Sequence, residues 1–242
     1  MGFTNFIQQA DAVALFILAT LLIMSVGSWY YIAIKGWRYS QTSKLSREFL
    51  HTFWAAPNLE AVAQRIRSTG ISDPFSHLVH HGFTAIEQHR SRNGNSLIEA
   101  GSAEDFLTRS LKRAIDQDKA RLEGGLTFLA TVASSAPFVG LFGTVWGIYH
   151  ALMVIGMSGQ SGLDKVAGPI GEALIMTGLG LAVAIPSAVA YNVFVRLNRN
   201  TMVQLNSFAH DVFAFLSTGL VCNSMPAEVK RVTPFKKTNE AS

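Results

Sequence analysis

Residues 168–192 read GPIGEALIMTGLGLAVAIPSAVAYN, and this stretch decides the fold class. Its one acidic residue, Glu172, is followed by residues 173–195, which contain no charged side chain. A helix of about 20 apolar residues is long enough to cross the hydrocarbon core of a bilayer. Two other uncharged stretches, residues 12–34 and 124–163, are also long enough. The sequence therefore predicts an all-α integral membrane protein with three transmembrane helices.

The composition supports a membrane protein. Of the 242 residues, 49% are hydrophobic and only 15% are charged, whereas about a quarter of the residues in soluble proteins are charged. The net charge is +4, but the basic residues form no stripe with interleaved aromatic residues, so no nucleic-acid partner is indicated. The single cysteine, Cys222, cannot form an internal disulfide.

The distribution of basic residues predicts the topology. Residues 35–125 hold 13 of the 20 Lys and Arg residues, and such residues accumulate on the cytoplasmic side of a membrane. No basic residue precedes the first span, which favours a retained helix over a signal peptide. The predicted segments are an external N-terminus (1–11), transmembrane helix 1 (12–34), a cytoplasmic helical insertion (35–125), transmembrane helix 2 (126–156), an external turn (157–163), transmembrane helix 3 (164–195), and a cytoplasmic helix with a basic tail (196–242).

The second and third spans are longer than a bilayer requires. Each of these helices would be about 45–50 Å long, against a hydrocarbon core of about 30 Å. We therefore expect both helices to project into the cytoplasm and to pack there against the insertion. Within the insertion, Ser102-Ala-Glu-Asp105 predicts the start of an amphipathic helix that runs into the second span.

Glu172 is the candidate proton carrier. If the third helix begins near Leu163, Glu172 lies two turns below Asp164, about 10–12 Å deeper in the membrane. An ionised carboxylate there costs several kcal/mol unless it is paired or hydrated. Because burial raises the pKa of a carboxylate, such a group can hold and release a proton near neutral pH. A position at the outer interface stays open, since the uncharged residues after Glu172 could span the membrane alone.

Small residues recur at helical spacing in the second and third spans, which favours close helix packing. Packing or kink positions are predicted at Pro137, Gly140, Gly143, Gly147 and Pro186. Thr144 and Thr177 lie on the same stripes, and their hydroxyls can exchange hydrogen bonds with a carboxylate or with water. Helical threonines also often bond to their own backbone, so both interpretations stay open. Thr177 lies about 140° from Glu172 around an ideal helix, so the two could share only a wide lumen.

The histidines do not indicate an enzyme or a metal protein. His77 and His81 are spaced i, i+4, but a metal site would need more ligands than the neighbouring sequence offers. His150 is the only histidine within a span, where it could relay protons or lie at the interface. No phosphate-binding glycine loop or nucleophile motif is present in the sequence. The sequence therefore predicts no metal, no other cofactor and no catalytic residues.

Two motifs resemble a known family. Residues 136–148, which read APFVGLFGTVWGI, and residues 168–192 resemble the signature of the ExbB/TolQ/MotA proton-channel family. The resemblance covers roughly residues 120–200. The residues of the two motifs are most similar to the ExbB branch, and TolQ is very similar in the same motifs. One difference is Met176-Thr-Gly178, where the family pattern often reads Ala-Thr-Ala or Met-Thr-Ala. The threonine itself is in place.

The resemblance implies a function. It implies a proton-channel scaffold subunit in the inner membrane of a Gram-negative bacterium, with a periplasmic N-terminus and a cytoplasmic C-terminus. Such subunits form a homopentameric ring around ExbD-like helices and pass work to a TonB-like protein, which energises outer-membrane uptake of iron–siderophore complexes and cobalamin. The family's membrane glutamate falls on Glu172, its pore-lining threonines on Thr144 and Thr177, and its second-span proline on Pro137.

Three alternatives stay open. The first is a TolQ-like subunit for envelope integrity and division. The second is a structural scaffold that conducts no protons. The third is a solute transporter, which is less favoured because the sequence has no inverted repeat and no pair of broken helices.

Overall fold

The computed structural model describes residues 11–56, 59–92, 103–158 and 163–218. Within these ranges the chain forms six helices and no strand. They are α1 (Ala12–Ala55), α2 (Leu59–Thr69), α3 (Pro74–Arg92), α4 (Ala103–Glu123), α5 (Leu126–Ser158) and α6 (Leu163–Thr218). Three helical stretches are long and apolar enough to cross a membrane, within Ala12–Ala55, Ala103–Met153 and Ala173–Ser217. The predicted all-α membrane protein with three transmembrane helices is therefore confirmed.

The apolar parts of α1, α5 and α6 pack together as a membrane bundle. α1 begins directly after Asp11, whose Oδ1 accepts a hydrogen bond of 2.7 Å from the backbone N–H of Ala12 and so caps the helix. The core of the bundle takes side chains from all three helices: Ile17, Leu21, Val132, Ala136, Met176 and Ala184. These side chains hold the three helices together in the segments where each helix is apolar on all sides.

Two of the membrane helices continue far beyond the bilayer. α6 has 56 residues and α1 has 44, which corresponds to about 84 and 66 Å at 1.5 Å per residue. α5, with 33 residues, is also longer than a single crossing needs. The length of the second and third membrane helices was predicted, but the continuation of α1 to Ala55 was not.

Outside the bilayer, the extended parts of α1 and α6 pack with α2, α3 and α4 as a polar bundle. Its core includes Phe53 of α1, Leu78 of α3, Leu111 of α4 and Phe208 of α6. The rings of Phe53 and Phe208 meet edge to face with their centroids 5.0 Å apart. The polar bundle is therefore continuous with the membrane bundle through α1 and α6.

A turn at Gly124 and Gly125 separates α4 from α5, where the sequence predicted that one helix would run into the next. Gly125 has a φ of 78°, a left-handed conformation that glycine adopts readily. A β-carbon there would also lie 2.6 Å from Cδ1 of Tyr31. The backbone carbonyl oxygen of Leu122, beside the turn, accepts hydrogen bonds of 2.7 Å from Lys35 Nζ and from Asn198 Nδ2. These bonds tie the end of α4 to α1 and α6.

Some predicted features lie outside the described residues. They are the cap at Ser102, the middle of the predicted external turn at residues 159–162, and the basic tail from residue 219 onward. The N-terminal residues 1–10 are in the same position.

Candidate functional site

The backbones of α5 and α6 come into contact at Gly140 and Gly180. A β-carbon at Gly140 would lie 2.7 Å from the carbonyl oxygen of Met176 and 3.0 Å from Cα of Gly180. A β-carbon at Gly180 would lie 2.7 Å from the carbonyl oxygen of Ala136. These distances are shorter than van der Waals contact and involve backbone atoms, so only glycine fits at either position without a shift of the helices.

The close contact continues along α5. A β-carbon at Gly143 would lie 3.0 Å from Cβ of Met176, and one at Gly147 would lie 2.9 Å from Cβ of Ala173. The small residues of α5 therefore meet α6 in antiparallel order. Pro137 lies inside α5, directly after Ala136, and Pro186 lies inside α6. The kink or packing roles of the two prolines stay predictions.

The hydroxyls of Thr144 and Thr177 form a hydrogen bond across the α5–α6 contact. Thr144 Oγ1 also donates to the carbonyl oxygen of Gly140 at 3.1 Å. Since a hydroxyl has only one proton to donate, Thr177 must be the donor to Thr144 in this arrangement. The side chain of Thr144 is buried and that of Thr177 partly buried. The two hydroxyls form a short polar path in an otherwise apolar contact.

Glu172 lies on α6, one residue before Ala173 and therefore just beyond the Gly147–Ala173 contact. It is separated from Thr177 by about 7.5 Å along the helix axis. The side chain of Glu172 is outside the described part of the chain. The structure thus pairs the two predicted threonines with each other and places Glu172 on the same helix. The proton-carrying roles of all three residues stay predictions.

The sequence profile of a family described as the MotA/TolQ/ExbB proton channel family matches residues 73–207. This match covers more than half of the chain. The chain belongs to the MotA/TolQ/ExbB proton channel family. The resemblance seen in the two sequence motifs is confirmed, and the matched range also includes α3 and α4 of the polar bundle.

Curated members of the MotA/TolQ/ExbB family are similar over nearly the whole chain. Biopolymer transport protein ExbB of Xanthomonas campestris pv. campestris is 39% identical over 227 residues, which cover 90% of each chain. The ExbB protein of Neisseria meningitidis serogroup A is 34% identical over 208 residues, which cover 85% of this chain and 92% of the relative. Tol-Pal system protein TolQ of Pseudomonas aeruginosa is 33% identical over 215 residues, which cover 88% and 91%.

A second polar contact in this family member was not predicted. The hydroxyl oxygens of Ser28 on α1 and Ser187 on α6 are 2.9 Å apart and hydrogen-bonded, and both side chains are buried. Because Ser187 has one hydroxyl proton, it donates either to Ser28 or to the carbonyl oxygen of Val183, which lies 2.8 Å away. A serine in an apolar helix signals a need for a hydrogen-bond partner, but the sequence does not identify that partner. This hydrogen bond joins α1 to α6 at a position ten residues after Thr177 on α6.

The polar bundle contains a buried acid–histidine pair. Nδ1 of His77 on α3 lies 2.9 Å from Oδ2 of Asp118 on α4, and the two residues are only 6% and 3% exposed. Burial raises the pKa of Asp118, and the hydrogen bond and charge of His77 partly oppose this rise. Burial also lowers the pKa of His81, and the nearby charges of His77 and His80 lower it further. Of the two histidines noted in the sequence, His77 pairs with a carboxylate. The described residues contain no group of three possible metal ligands.

At low pH, the Asp118→Asn variant should be less stable than the unmodified protein. Since the folded state raises the pKa of Asp118 above 3.8, the folded protein binds this proton more tightly than the unfolded chain does. Its contribution to stability is therefore greatest at low pH and is lost as the pH rises through the folded pKa. We expect the Tm difference between the unmodified protein and Asp118→Asn to grow in favour of the unmodified protein as pH falls. Thermal unfolding in detergent at several pH values measures it, and a difference independent of pH would contradict the prediction.

Proposed function

We propose that this chain is the proton-channel scaffold subunit of an inner-membrane motor that energises TonB-dependent transport across the outer membrane. The observation that carries the proposal is the similarity to proteins named biopolymer transport protein ExbB, at 39% and 34% identity over most of the chain. The substrates of the receptors served would be iron–siderophore complexes and cobalamin. The TolQ relative is somewhat less similar, at 33% identity, so the TolQ-like role in envelope integrity is the second candidate.

The proposed orientation places the N-terminus in the periplasm and the polar bundle in the cytoplasm. Residues 35–125, which supply α2, α3 and α4, hold 13 of the 20 Lys and Arg residues. Because basic residues are retained on the cytoplasmic side, this bundle belongs there. The α5–α6 connection then faces the periplasm, and Glu172 lies nearer to that face than Thr177 does.

Assembly into a homopentameric ring is part of the proposal. Large apolar side chains on α5 and α6 are exposed in the single chain, including Phe138, Phe142 and Val145 on α5 and Ile185 and Val189 on α6. In a membrane such surfaces face lipid or another helix. A ring of copies would cover part of them and enclose a lumen, in which an ExbD-like partner helix would lie. A TonB-like protein would receive the work.

The proposed proton step uses Glu172 as the group that gains and loses the proton. The Thr144–Thr177 hydroxyl pair, which lies deeper in the membrane, would guide the proton or its water towards the cytoplasmic side. One carboxylate alone does not make a complete path through the membrane. The partner helix must therefore supply a second acid that exchanges the proton with Glu172.

A complementation experiment tests the function. The gene would be expressed with its own ExbD-like and TonB-like partners in cells that lack their ExbB and TolQ systems. Restored uptake of labelled iron–siderophore that stops when the proton gradient is collapsed is the expected result. Restored detergent resistance and division with no uptake would instead assign the TolQ-like role.

The substitution Thr177→Val should slow proton conduction without preventing assembly. Valine has nearly the shape of threonine but cannot donate to Thr144, and a net hydrogen bond of this kind contributes about 1 kcal/mol. We therefore expect proton flux in vesicles to fall by about fivefold or more. Thr131→Val is the matched control on α5, because Thr131 is exposed and its hydroxyl donates to the carbonyl oxygen of Thr127 within the same helix. Equal flux in the two variants would contradict a role for the threonine pair.

A further inference from the structure

A cavity of about 740 Å³ lies where the membrane bundle meets the polar bundle. Its volume is in the range of small-molecule sites, about 300–1,000 Å³. Its walls come from the second half of α1, residues 71–77 at the start of α3, the end of α4 and the second half of α6. None of the residues predicted to carry protons lines it. The cavity is therefore separate from the site between α5 and α6.

Four cationic side chains line the cavity: Lys35, Arg38 and Arg47 of α1 and Arg121 of α4. Among the described residues, no carboxylate lies within 4 Å of the charged groups of the three α1 side chains. Arg121 lies 3.7 Å from Asp118. The cavity thus gathers positive charge that the described protein does not neutralise.

The two acids in the cavity wall are already engaged. The carboxylate of Asp73 accepts hydrogen bonds from the backbone N–H groups of Phe75 and Ser76 at 3.2 and 3.4 Å. Asp118 is paired with His77 at 2.9 Å. An added anion would therefore meet three α1 cations that no described carboxylate neutralises, and it would compete with an acid only at Arg121, which lies near Asp118. Lys35 donates one of its three protons to the carbonyl oxygen of Leu122, which leaves two for an anion.

The remaining walls show which kind of anion fits. Tyr31, Ile34 and Phe194 form an apolar side that belongs to the membrane bundle. Lys35 and Arg38 follow directly on α1, so the cavity changes from apolar to cationic at the level expected for lipid headgroups. Arginine and lysine are the usual ligands of phosphate groups. The cavity therefore offers an apolar path and a phosphate-binding end to one amphipathic molecule.

We propose that this cavity binds the headgroup phosphate of an anionic phospholipid from the adjacent leaflet, with the acyl chains leaving past Tyr31 and Ile34. The phosphate bridges the cations of α1 to Arg121 of α4. In this position the lipid fixes the polar bundle relative to the membrane bundle. The inference needs only the membrane placement of the chain and does not depend on the proposed motor function.

Lipid titration of the full-length protein tests the site. The protein is purified in detergent, depleted of lipid, and titrated with phosphatidylglycerol, phosphatidylcholine, glycerol 3-phosphate or inorganic phosphate, with bound species counted by native mass spectrometry. We expect phosphatidylglycerol to bind at least about tenfold more tightly than the other three, since only it has net negative charge together with acyl chains. Equal binding of phosphatidylcholine would overturn the charge argument. Equal binding of inorganic phosphate would overturn the lipid assignment.

Two variants locate the binding in the cavity. Arg38→Gln should weaken phosphatidylglycerol binding by about tenfold, because it removes a charge-assisted hydrogen bond. Lys44→Gln is the matched control, since Lys44 is an exposed cation of α1 outside the cavity, and it should change binding by less than about twofold. Thr42→Trp fills the cavity and keeps every cation, so it should weaken binding as much as Arg38→Gln. Unchanged binding in Thr42→Trp, or equal losses in Arg38→Gln and Lys44→Gln, would overturn the proposal.

Discussion

The substitution Glu172→Gln should abolish proton conduction while the complex still assembles. Glutamine is close to glutamate in size and shape, but it cannot gain or lose a proton near neutral pH. Loss of a group that transfers protons typically lowers a rate by about 10²–10⁴-fold. We therefore expect at least a 100-fold lower proton flux, with loss of uptake driven by the gradient.

Proton flux is measured with a pH-sensitive dye in vesicles that contain the chain and its ExbD-like partner. Glu123→Gln is the matched control, because Glu123 is an exposed carboxylate at the end of α4 and its replacement should leave flux unchanged. Size-exclusion chromatography then shows whether both variants assemble. Full flux in Glu172→Gln would contradict the proposed role of this carboxylate.

The same experiment separates the motor from the scaffold alternative. If the ring only held its partners in place, the neutral but similarly shaped glutamine would be harmless, and uptake would continue. Glu172→Ala, which also removes the side-chain volume, would then be the more damaging change. If Glu172 carries protons, glutamine and alanine should be about equally damaging. The order of the two variants therefore distinguishes chemistry from packing.

The membrane helices could be predicted because charged residues mark the ends of each long uncharged stretch. Asp11 and Lys35 enclose the first uncharged stretch, and no charge occurs between Glu123 and Asp164. The continuation of α1 to Ala55 carries no such signal, since charged residues recur from Lys35 to Glu48 and leave no long uncharged stretch there. Its helical structure is stabilised by tertiary contacts such as Phe53 on Phe208, and these depend on residues far away in the chain.

Side-chain contacts between different helices could not be predicted from the sequence for the same reason. Helical spacing placed Thr144 and Thr177 on small-residue stripes, but the offset between α5 and α6 determines that their hydroxyls meet. His77 and Asp118 belong to different helices of the polar bundle, and no local pattern relates them. The turn at Gly125 differs, because a local signal for it was present in the sequence. The Gly-Gly pair indicates a break between helices, although the hydrophobic periodicity favoured a continuous helix.

The substitution Gly180→Val should separate α5 from α6 and cause the largest loss of stability among these variants. A β-carbon at this position lies 2.7 Å from the carbonyl oxygen of Ala136 and 3.0 Å from Cα of Gly140. Overpacking a core typically costs about 1–3 kcal/mol, and this contact is at the upper end because backbone atoms cannot rotate away as a side chain does.

Gly178→Val provides the control that isolates the contact. Gly178 lies two residues earlier on α6 and a β-carbon there meets nothing within 4 Å. Both substitutions change the helix propensity of α6 equally, so the difference between their Tm values measures the α5–α6 contact alone. We expect Gly180→Val to lower the Tm and to disrupt the Thr144–Thr177 pair, with proton flux lost as a consequence. Equal Tm values for the two variants would show that the helices do not approach as closely as these glycines indicate.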